Sequence, residues 1–405
     1  MKKRYALVGT GGRGVGMFAR PVVEKYGDIA ELVAICDLNP KRLELTNSII
    51  KCNVPTYTNF DKMLKEVKFD TLIVATKDST HHEFIIKALD TGHDVITEKP
   101  MTIDDEKCRA ILKAEKKSKR KVTVTFNYRY VPYVTRIKEL FSKGIIGDIV
   151  SVDFSYYLDT SHGADYFRRW HRRKENSGGL LVHKATHHFD LVNWFLDDEP
   201  EEVFARGALR FYGHTREERN ERCLTCKYKK TCKFYFNIEK KELNKNFYRK
   251  AEDEDKYYRD RCVFSDEIDI EDTMSVCVTY KKRTFLTYSL NAFLPYEGWR
   301  MSLNGKKGRL EAEEFHSFPG GIPEEKEIRI YPLFKKPKII KVSKAAGGHG
   351  GGDKRLLDML FKEGSPDPLG HQAGSRGGAM SILIGIAGNK SIKTGKAVKI
   401  KELLK

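Results

Sequence analysis

A glycine-rich turn near the amino terminus constrains this chain more than any other stretch. The apolar run at residues 5–8 predicts a buried β-strand, and the strand leads into Gly9-Thr10-Gly11-Gly12-Arg13-Gly14. In a Gly-x-Gly-x-x-Gly turn the first glycine permits a tight turn, the second lets the backbone approach a pyrophosphate, and the third lets the next helix pack on the strand. The helix N-terminus then offers N–H groups to phosphates. The turn predicts a dinucleotide site wherever strands and helices alternate after it.

The first third of the chain has that alternation. Strands are predicted at residues 31–37, 70–76, 94–97 and 121–126, and helices at about 83–89 and 104–117. Such alternation with short loops indicates a parallel sheet with right-handed crossovers. The second strand ends in Asp37, where a doubly wound fold places the carboxylate that accepts ribose hydroxyls. We expect an α/β fold in which residues 1–126 form a Rossmann domain that binds NAD. NADP stays open, because Lys41 and Arg42 follow Asp37.

The pattern changes after residue 126. Long alternating strands predominate, which indicates a mostly antiparallel, open sheet covered on one face by helices. We expect residues 127–405 to form this second, α+β domain, interrupted at about 213–266 by a charged insertion with four cysteines. The predicted strands lie at 149–158, 203–212, 273–280 and 284–292, and the predicted helices at 133–142, 178–195 and about 379–387.

Composition excludes some classes of function. The net charge is +18 over 405 residues, but the lysines are spread along the chain and mixed with acids. This is typical of a solvated surface, so we expect no nucleic-acid partner, only a bias toward anionic small substrates. No stretch approaches twenty apolar residues, and no signal peptide is recognisable. We expect a cytoplasmic protein without a membrane partner.

Lys99 is the first residue that can carry chemistry. It follows the carboxyl end of a predicted parallel strand, where ligands bind in such sheets. Pro100 holds the backbone before it extended. A lysine at this place can hydrogen-bond a substrate hydroxyl, with a pKa tuned by burial. The alternative is a surface lysine in a loop.

A histidine cluster is the second candidate. His183, His187 and Asp190 are spaced so that all three share one helical face. Histidine suits proton transfer near neutral pH, and Asp190 can set the tautomer of His187. The same spacing also suits a zinc site or a hydrogen-bonded structural cluster, and the residues alone leave all three open.

Two loops add further candidates. His349 lies among five glycines at residues 347–352, which allow close backbone approach to a ligand and favour an acid or base role. The alternative is a flexible linker. Arg169 and Trp170 precede a Gly-Gly turn, where an arginine can bind a carboxylate or phosphate and a tryptophan can stack on a sugar ring. A solvated basic loop is the alternative.

The insertion contains a run of thiols. Cys223, Cys226 and Cys232 are close in sequence, and Cys262 follows at a distance. Four thiolates can hold a structural zinc ion or an iron–sulfur cluster. Unligated thiols remain the third possibility.

Together these motifs resemble the Gfo/Idh/MocA oxidoreductase family over essentially the whole chain apart from the insertion. The resemblance implies cofactor contacts from the glycine turn with Asp37, and from Thr76, His81, Glu98 and Asn127. It implies that Lys99 contacts substrate and nicotinamide, and it places His187 at the catalytic histidine position. Arg129 belongs to the similar domain-junction motif, and we expect it to bind substrate. Lys77 and Asp78 replace the family's usual Pro-Asn, and His183 stands where the family usually has aspartate.

These observations predict an NAD-dependent oxidoreductase that acts on a CH–OH group of a sugar, polyol or sugar derivative. Lys99 and His187 orient and deprotonate the hydroxyl, and His183 and Asp190 tune His187. The second hypothesis is a redox-neutral glycosidase or lyase with bound NAD, in which His349 is an acid or base. The third is a nucleotide-bound sensor without activity. We expect a small carbohydrate as ligand and a homo-oligomer, either a dimer or a tetramer.

Overall fold

The computed structural model describes residues 1–362 and 364–405. Its amino-terminal part is built from alternating strands and helices. The strands are β1 (Lys3–Val8), β2 (Ala30–Cys36), β3 (Thr56–Tyr57), β4 (Thr71–Val74), β5 (Asp94–Thr97) and β6 (Val122–Val124). The helices are Arg20–Lys25, Pro40–Ile50, Phe60–Glu66, His81–Asp90 and Asp105–Ser118, with a π-helical turn at Gly14–Ala19 and a 3-10 turn at Asp78–Thr80.

The first sheet has the order β6-β5-β4-β1-β2-β3, and all five pairs are parallel. Burial explains why these strands are apolar runs, since helices cover both faces of such a sheet. The strand order reverses between β1 and β4, so a crevice opens at the carboxyl ends of these strands. The predicted Rossmann fold is confirmed.

The second sheet is nine-stranded, in the order β14-β13-β12-β11-β7-β10-β9-β8-β16. Its pairs are antiparallel except for β7 with β10, which run parallel. Its strands are β7 (Ile149–Asp159), β8 (Pro200–Ala208), β9 (Thr273–Tyr280), β10 (Phe285–Leu294), β11 (Glu297–Gly305), β12 (Gly308–Ser317), β13 (Glu325–Pro332), β14 (Lys338–Ser343) and β16 (Val398–Lys399); β15 (Ala373–Gly374) joins the first sheet.

Along β9 buried and more exposed residues alternate, with Met274, Val276 and Val278 facing inward, as expected for a sheet covered on one face. The mostly antiparallel sheet is confirmed. Four strands between Glu297 and Ser343 were not predicted, and they form the half of the sheet beyond β7.

The helices of this second part include several short ones. The predicted helix at 178–195 is in fact two helices, Leu180–His183 and Thr186–Leu196, separated at Lys184 and Ala185. The others are Pro132–Ser142, Thr160–Arg168, Lys174–Ser177, Glu242–Asn244, Glu252–Asp255, Gly352–Phe361, Ser375–Thr394 and Ile400–Leu403; 3-10 turns lie at Asn127–Tyr130, Trp170–Arg172 and Gly348–Gly351, and a π-helical turn at Lys245–Arg249.

The carboxy-terminal segment returns to the first sheet. β15 pairs antiparallel with β6, and Phe361 packs its ring 5.1 Å from both Tyr5 and Tyr26. The part of the chain after residue 126 therefore also contributes a strand and an aromatic contact to the first part. Among the described residues no helix has both the length and the apolar character needed to cross a membrane.

Candidate active site

The glycine turn has the geometry that its sequence predicts. Gly9 has φ +93°, and a Cβ on it would lie 2.5 Å from the carbonyl oxygen of Ala75. A Cβ on Gly14 would lie 2.0 Å from the carbonyl oxygen of Gly9. No real side chain tolerates such distances, so both positions require glycine. A Cβ on Gly11 would meet nothing within 4 Å, which leaves space beside the backbone where the motif places a pyrophosphate.

Asp37 lies just past β2 and is anchored by the turn. Its carboxylate accepts hydrogen bonds from the Thr10 N–H at 2.7 Å and the Thr10 hydroxyl at 3.1 Å, and its other oxygen accepts from the Asn39 N–H at 2.9 Å. A carboxylate has about four lone-pair sites, so it keeps capacity for a ribose hydroxyl. Turn and carboxylate fit a dinucleotide.

The cysteine-containing insertion covers this turn, which the sequence did not indicate. The Gly12 N–H donates to the Tyr248 hydroxyl at 3.4 Å, and the Asn39 side-chain amide donates to the carbonyl of Ala251 at 2.9 Å. Arg42 forms an ion pair with Asp255 at 2.6 Å, and Lys41 forms one with Glu254 at 2.9 Å. We call residues 247–255 the strap.

Lys99 lies between the two parts of the molecule. It comes two residues after β5, and its ammonium donates to the carbonyl of His183 at 3.3 Å. Burial lowers the pKa of Lys99, while Asp78 and Glu98 oppose that shift. The preceding Glu98 accepts a hydrogen bond from Arg13 of the glycine turn at 2.7 Å. Lys99 is therefore a partly buried cation beside the predicted cofactor turn.

Two predicted cofactor contacts make hydrogen bonds within the protein. His81 is fully buried, and its ring nitrogens lie 2.9 Å from the carbonyl of Pro100 and 3.1 Å from the carbonyl of Thr76. Its predicted contact with the cofactor stays a prediction; in this structure the ring lies between two backbone carbonyls and helps to position the loop after Lys99. The Thr76 hydroxyl bonds that of Thr80 at 2.9 Å.

His183 pairs with Asp78 rather than with His187. Its Nδ1 lies 2.5 Å from the Asp78 carboxyl. Burial lowers the pKa of His183 well below its ordinary value, aided by Lys99, and burial raises the pKa of Asp78. His183 was predicted to tune His187, but its hydrogen-bond partner is Asp78. The break at Lys184 ends the helical face that the two histidines were expected to share. Asp78 was noted only as a departure from the family motif.

His187 is buried, with ring contacts to Phe126 and Tyr128 at 6.3 and 6.0 Å. Its Nδ1 is shut off from solvent and has no hydrogen-bond partner among the described residues. Burial, then Lys99 and Lys184, lower the pKa of His187 well below its ordinary value. The imidazole of His187 is therefore neutral, and a neutral imidazole has one ring nitrogen that can accept a proton.

Asp190 and Arg129 form an ion pair in the core. Arg129 Nε and Nη2 donate to the two carboxylate oxygens at 2.7 and 2.6 Å, and Arg129 Nη1 donates to the carbonyl of Gly370. The predicted roles of Asp190 as a partner of His187 and of Arg129 as a substrate ligand are wrong, because each occupies the other in a bidentate pair.

The glycine loop places His349 at the edge of the cleft. His349 Nδ1 lies 2.9 Å from Asp353, whose other oxygen accepts from the Asn127 amide at 2.6 Å and lies 3.9 Å from Arg13. Through Asp353, His349 is therefore linked to Asn127 and to Arg13 of the glycine turn. Asn127 is buried, and its Oδ1 lacks a partner among the described residues.

Arg169 also reaches the cleft. Its charge opposes the raised pKa of Asp78, its Nη1 lies 3.5 Å from Asp165, and its Nε is buried without a partner among the described residues. Trp170 is half-buried and stacks on His171 with ring centroids 3.7 Å apart. His171 in turn packs 4.2 Å from His183.

Lys184 is a site residue that the sequence analysis missed. It lies at the helix break, its ammonium is 4.9 Å from the ring centroid of Tyr156, and burial lowers its pKa to about 8. Glu297 opposes that shift; its carboxylate lies 2.9 Å from both the Tyr156 hydroxyl and His162 Nδ1. The only sequence signal for Lys184 is its position between His183 and His187.

A metal ion was one predicted occupant of the histidine cluster. In the part of the chain that the structure describes, no three His, Cys, Asp or Glu side chains are placed to hold one. The described residues therefore do not support the zinc alternative for His183 and His187, because one of these histidines bonds Asp78 and none of the other described residues adds a third ligand to the pair.

Two family models together match nearly the whole chain. Residues 3–126 match the model described as an oxidoreductase family NAD-binding Rossmann fold, and residues 138–400 match the C-terminal alpha/beta domain of the same family. The chain is 42% identical to the oxidoreductase YteT of Bacillus subtilis over 99% of this chain and 98% of that protein.

More distant relatives share the fold. Inositol 2-dehydrogenase of Rhizobium meliloti is 29% identical over 52% of this chain and 59% of that protein. The WlbA dehydrogenase of Bordetella pertussis, solved with NADH and UDP-GlcNAcA, superposes with a TM-score of 0.67 at 18% identity, covering 98% of this chain and 99% of that one.

Proposed function

The chain belongs to the Gfo/Idh/MocA family of oxidoreductases, and on that premise we propose that it is an NAD-dependent enzyme that oxidises a carbinol carbon of a sugar, polyol or sugar derivative. The observation that carries the proposal is the placement of Lys99. Its partly buried ammonium follows β5 of the dinucleotide-binding sheet and bonds the carbonyl of His183 in the second domain. A substrate held there lies at the junction of the two domains.

The chain favours NAD over NADP. Asp37 repels a 2′-phosphate, and the cations beside it are already engaged, because Arg42 pairs with Asp255 and Lys41 with Glu254. When bound, NAD would lie against the glycine turn and Asp37 and supply the hydride acceptor.

The protein's own residues orient and deprotonate the hydroxyl. Lys99 donates a hydrogen bond to the substrate oxygen. His187, neutral because burial lowers its pKa, takes the hydroxyl proton. We assign the acceptor atom to Nε2, since Nδ1 is closed off from solvent. The pair of Asp78 with His183 fixes the backbone carbonyl to which Lys99 donates, so it positions the lysine.

The charge of the cleft favours a substrate with a carboxylate. Lys99, Arg169 and Lys184 all help to lower the pKa of the buried His183, and the Nε of Arg169 has no hydrogen-bond partner among the described residues. Partly buried cations and an unpaired guanidinium N–H are stabilised by an anion. A sugar acid would satisfy them better than a neutral sugar.

The test is a substrate panel with the full-length protein. Bound nucleotide is first released by denaturation and identified, and the native protein is then assayed for formation of reduced nicotinamide with matched pairs such as glucuronate and glucose. NAD release together with turnover of the acidic member supports the proposal. Absence of NAD and of turnover with every carbohydrate would support a nucleotide-free role and contradict it.

The second candidate function is redox-neutral glycoside cleavage or elimination with retained NAD. The observation that favours it is the strap over the glycine turn, together with His349 at the cleft edge. A retained nucleotide returns its hydride within one turnover, so net oxidation does not occur. Release of the aglycone from aryl glycosides without added NAD, and without accumulation of NADH, would distinguish it from the leading function.

The quaternary structure stays a prediction. An open sheet of nine strands leaves one face for a partner, and a homo-oligomer is the expected use of that face. Sedimentation of the purified chain would test it.

A further inference from the structure

The four cysteines of the insertion line a single cavity. Cys223, Cys226, Cys232 and Cys262 line one small pocket that is partly open to solvent, with Val263, Phe234 and Phe264 among the other lining residues. None of these four cysteines forms a disulfide bond. This cavity lies within the insertion, and the proposed hydride transfer makes no use of it.

The backbone is folded so as to bring these thiols together. Residues before Cys223 and Cys262 form an antiparallel bridge, in which the Cys223 N–H donates to the carbonyl of Asp260 at 2.8 Å and the Cys262 N–H donates to that of Glu221 at 3.0 Å. A tight turn then carries the chain to Cys226, whose N–H donates to the carbonyl of Cys223 at 3.1 Å. The Cys232 N–H is held by Tyr228 at 2.9 Å.

Arginines contact two of the sulfur atoms. Arg168 Nη1 donates to Cys223 Sγ at 3.3 Å, and Arg216 Nη2 donates to Cys232 Sγ at 2.9 Å. The guanidinium of Arg216 also lies 3.7 Å from the ring centroid of Phe264. Guanidinium groups stabilise thiolates rather than neutral thiols, because a thiolate carries a full negative charge. Such contacts are expected where several thiolates share a site.

The arrangement of the four thiols favours one of the two predicted metal centres, a zinc ion or an iron–sulfur cluster. A zinc ion draws its sulfur ligands to about 2.3 Å, so they converge on one point. In the described residues no three potential ligands converge in that way, yet four thiols surround one space. Thiolates that each bind a different iron of a cluster are spread around it. We propose that Cys223, Cys226, Cys232 and Cys262 ligate an iron–sulfur cluster of the 4Fe–4S type.

The cluster would anchor the strap. The strap lies in sequence between Cys232 and Cys262, and it contacts the glycine turn through Tyr248. Six of the nine strap residues are charged, so crosslinking the two ends of the insertion through a cluster stabilises it, as a structural metal does in a small domain. Arg168 also precedes Arg169, so the same anchor steadies one side of the cleft.

The full-length protein, purified without oxygen, tests the cluster. We expect about four iron and four acid-labile sulfide per chain and a broad visible absorption that dithionite bleaches. Cys226→Ser should lose both iron and colour, whereas Cys52→Ser and Cys277→Ser, at exposed cysteines outside the insertion, should keep them. One zinc per chain without iron would overturn the cluster. Metal-free protein with four reactive thiols, unchanged after anaerobic reconstitution with ferrous iron and sulfide, would also overturn it.

A second measurement does not depend on whether a cysteine variant folds. Hydrogen bonds to cluster sulfurs influence the reduction potential. Arg216→Gln removes the contact with Cys232 Sγ, so the potential of the loaded protein should become more negative while its iron content stays the same. Arg219→Gln, a nearby arginine that pairs with Asp266, is the matched control. Equal potentials in both variants would contradict ligation by Cys232.

Discussion

The hydroxyl of Tyr248 lies 3.4 Å from the backbone nitrogen of Gly12. The two residues are 236 positions apart, and the second belongs to the turn in which a dinucleotide binds. An inserted segment thus reaches from the second domain onto the cofactor turn of the first. From this contact we expect the insertion to slow the entry and exit of a nucleotide.

Removal of the Tyr248 ring should speed nucleotide release. In Tyr248→Ala the strap loses its contact with the glycine turn, and we expect the dissociation rate of bound NAD to rise about tenfold, equivalent to ~1.4 kcal/mol. Stopped-flow displacement of bound nucleotide measures this rate. Tyr228→Ala is the control, since Tyr228 packs beside Lys227 within the insertion. Equal rates in both variants would show that the strap does not retain the nucleotide.

Loss of Lys99 should abolish turnover and spare nucleotide binding. Lys99→Ala removes the only group we assign to orient the hydroxyl, so kcat should fall by about 10²–10⁴-fold. The glycine turn and Asp37 are untouched, so the amount of NAD co-purified per chain should stay near that of the unaltered protein. Lys77→Ala, an exposed lysine in the same region, serves as the control. Retained turnover in Lys99→Ala would remove this residue from the mechanism.

The affinity for an acidic substrate should fall at alkaline pH because of Lys184. Burial lowers the pKa of Lys184 to about 8, so its ammonium is charged below that pH and neutral above it. For a sugar acid, KM should therefore increase as pH rises through about 8. In Lys184→Met the KM should be about tenfold higher at pH 7, and this alkaline increase should be absent. An unchanged pH profile would place Lys184 outside the substrate site.

Replacement of Asp190 should cost stability rather than chemistry. Asp190→Asn leaves Arg129 as a buried charge without its carboxylate, which typically costs about 3–5 kcal/mol. Urea unfolding should show this loss. The double variant Arg129→Met with Asp190→Leu should recover most of it, because no charge is then left unpaired. A large fall in kcat of fully folded Asp190→Asn would instead return Asp190 to a catalytic role.

Local features of the sequence predicted much of the first domain. Gly9 and Gly14 have no space for a side chain, and the Asn39 side chain accepts the Arg42 N–H at the helix start as expected of an N-cap. The strand at Thr273–Tyr280 was predicted residue for residue. In each case the determining interactions are short-range or follow from the two-residue period of a strand.

Prediction was poorer where a partner comes from a distant segment. His183 meets Asp78 across 105 positions, and Arg129 meets Asp190 across 61. The spacing places Asp190 on the same face as His187 and His183 only if one continuous helix carries all three. The break at Lys184 turned the two histidines toward different surroundings.

The sequence by itself determined the dinucleotide turn, the alternation of the Rossmann strands and the place of Lys99 at a strand end. These follow from glycine sterics, periodicity and chain order, which act within a few residues. Only the tertiary structure decided the partners of His183 and Asp190, the strap over Gly12 and the single cavity shared by four cysteines. The reason is physical: burial and ion pairing depend on which distant side chains share a volume, and sequence spacing does not specify that volume.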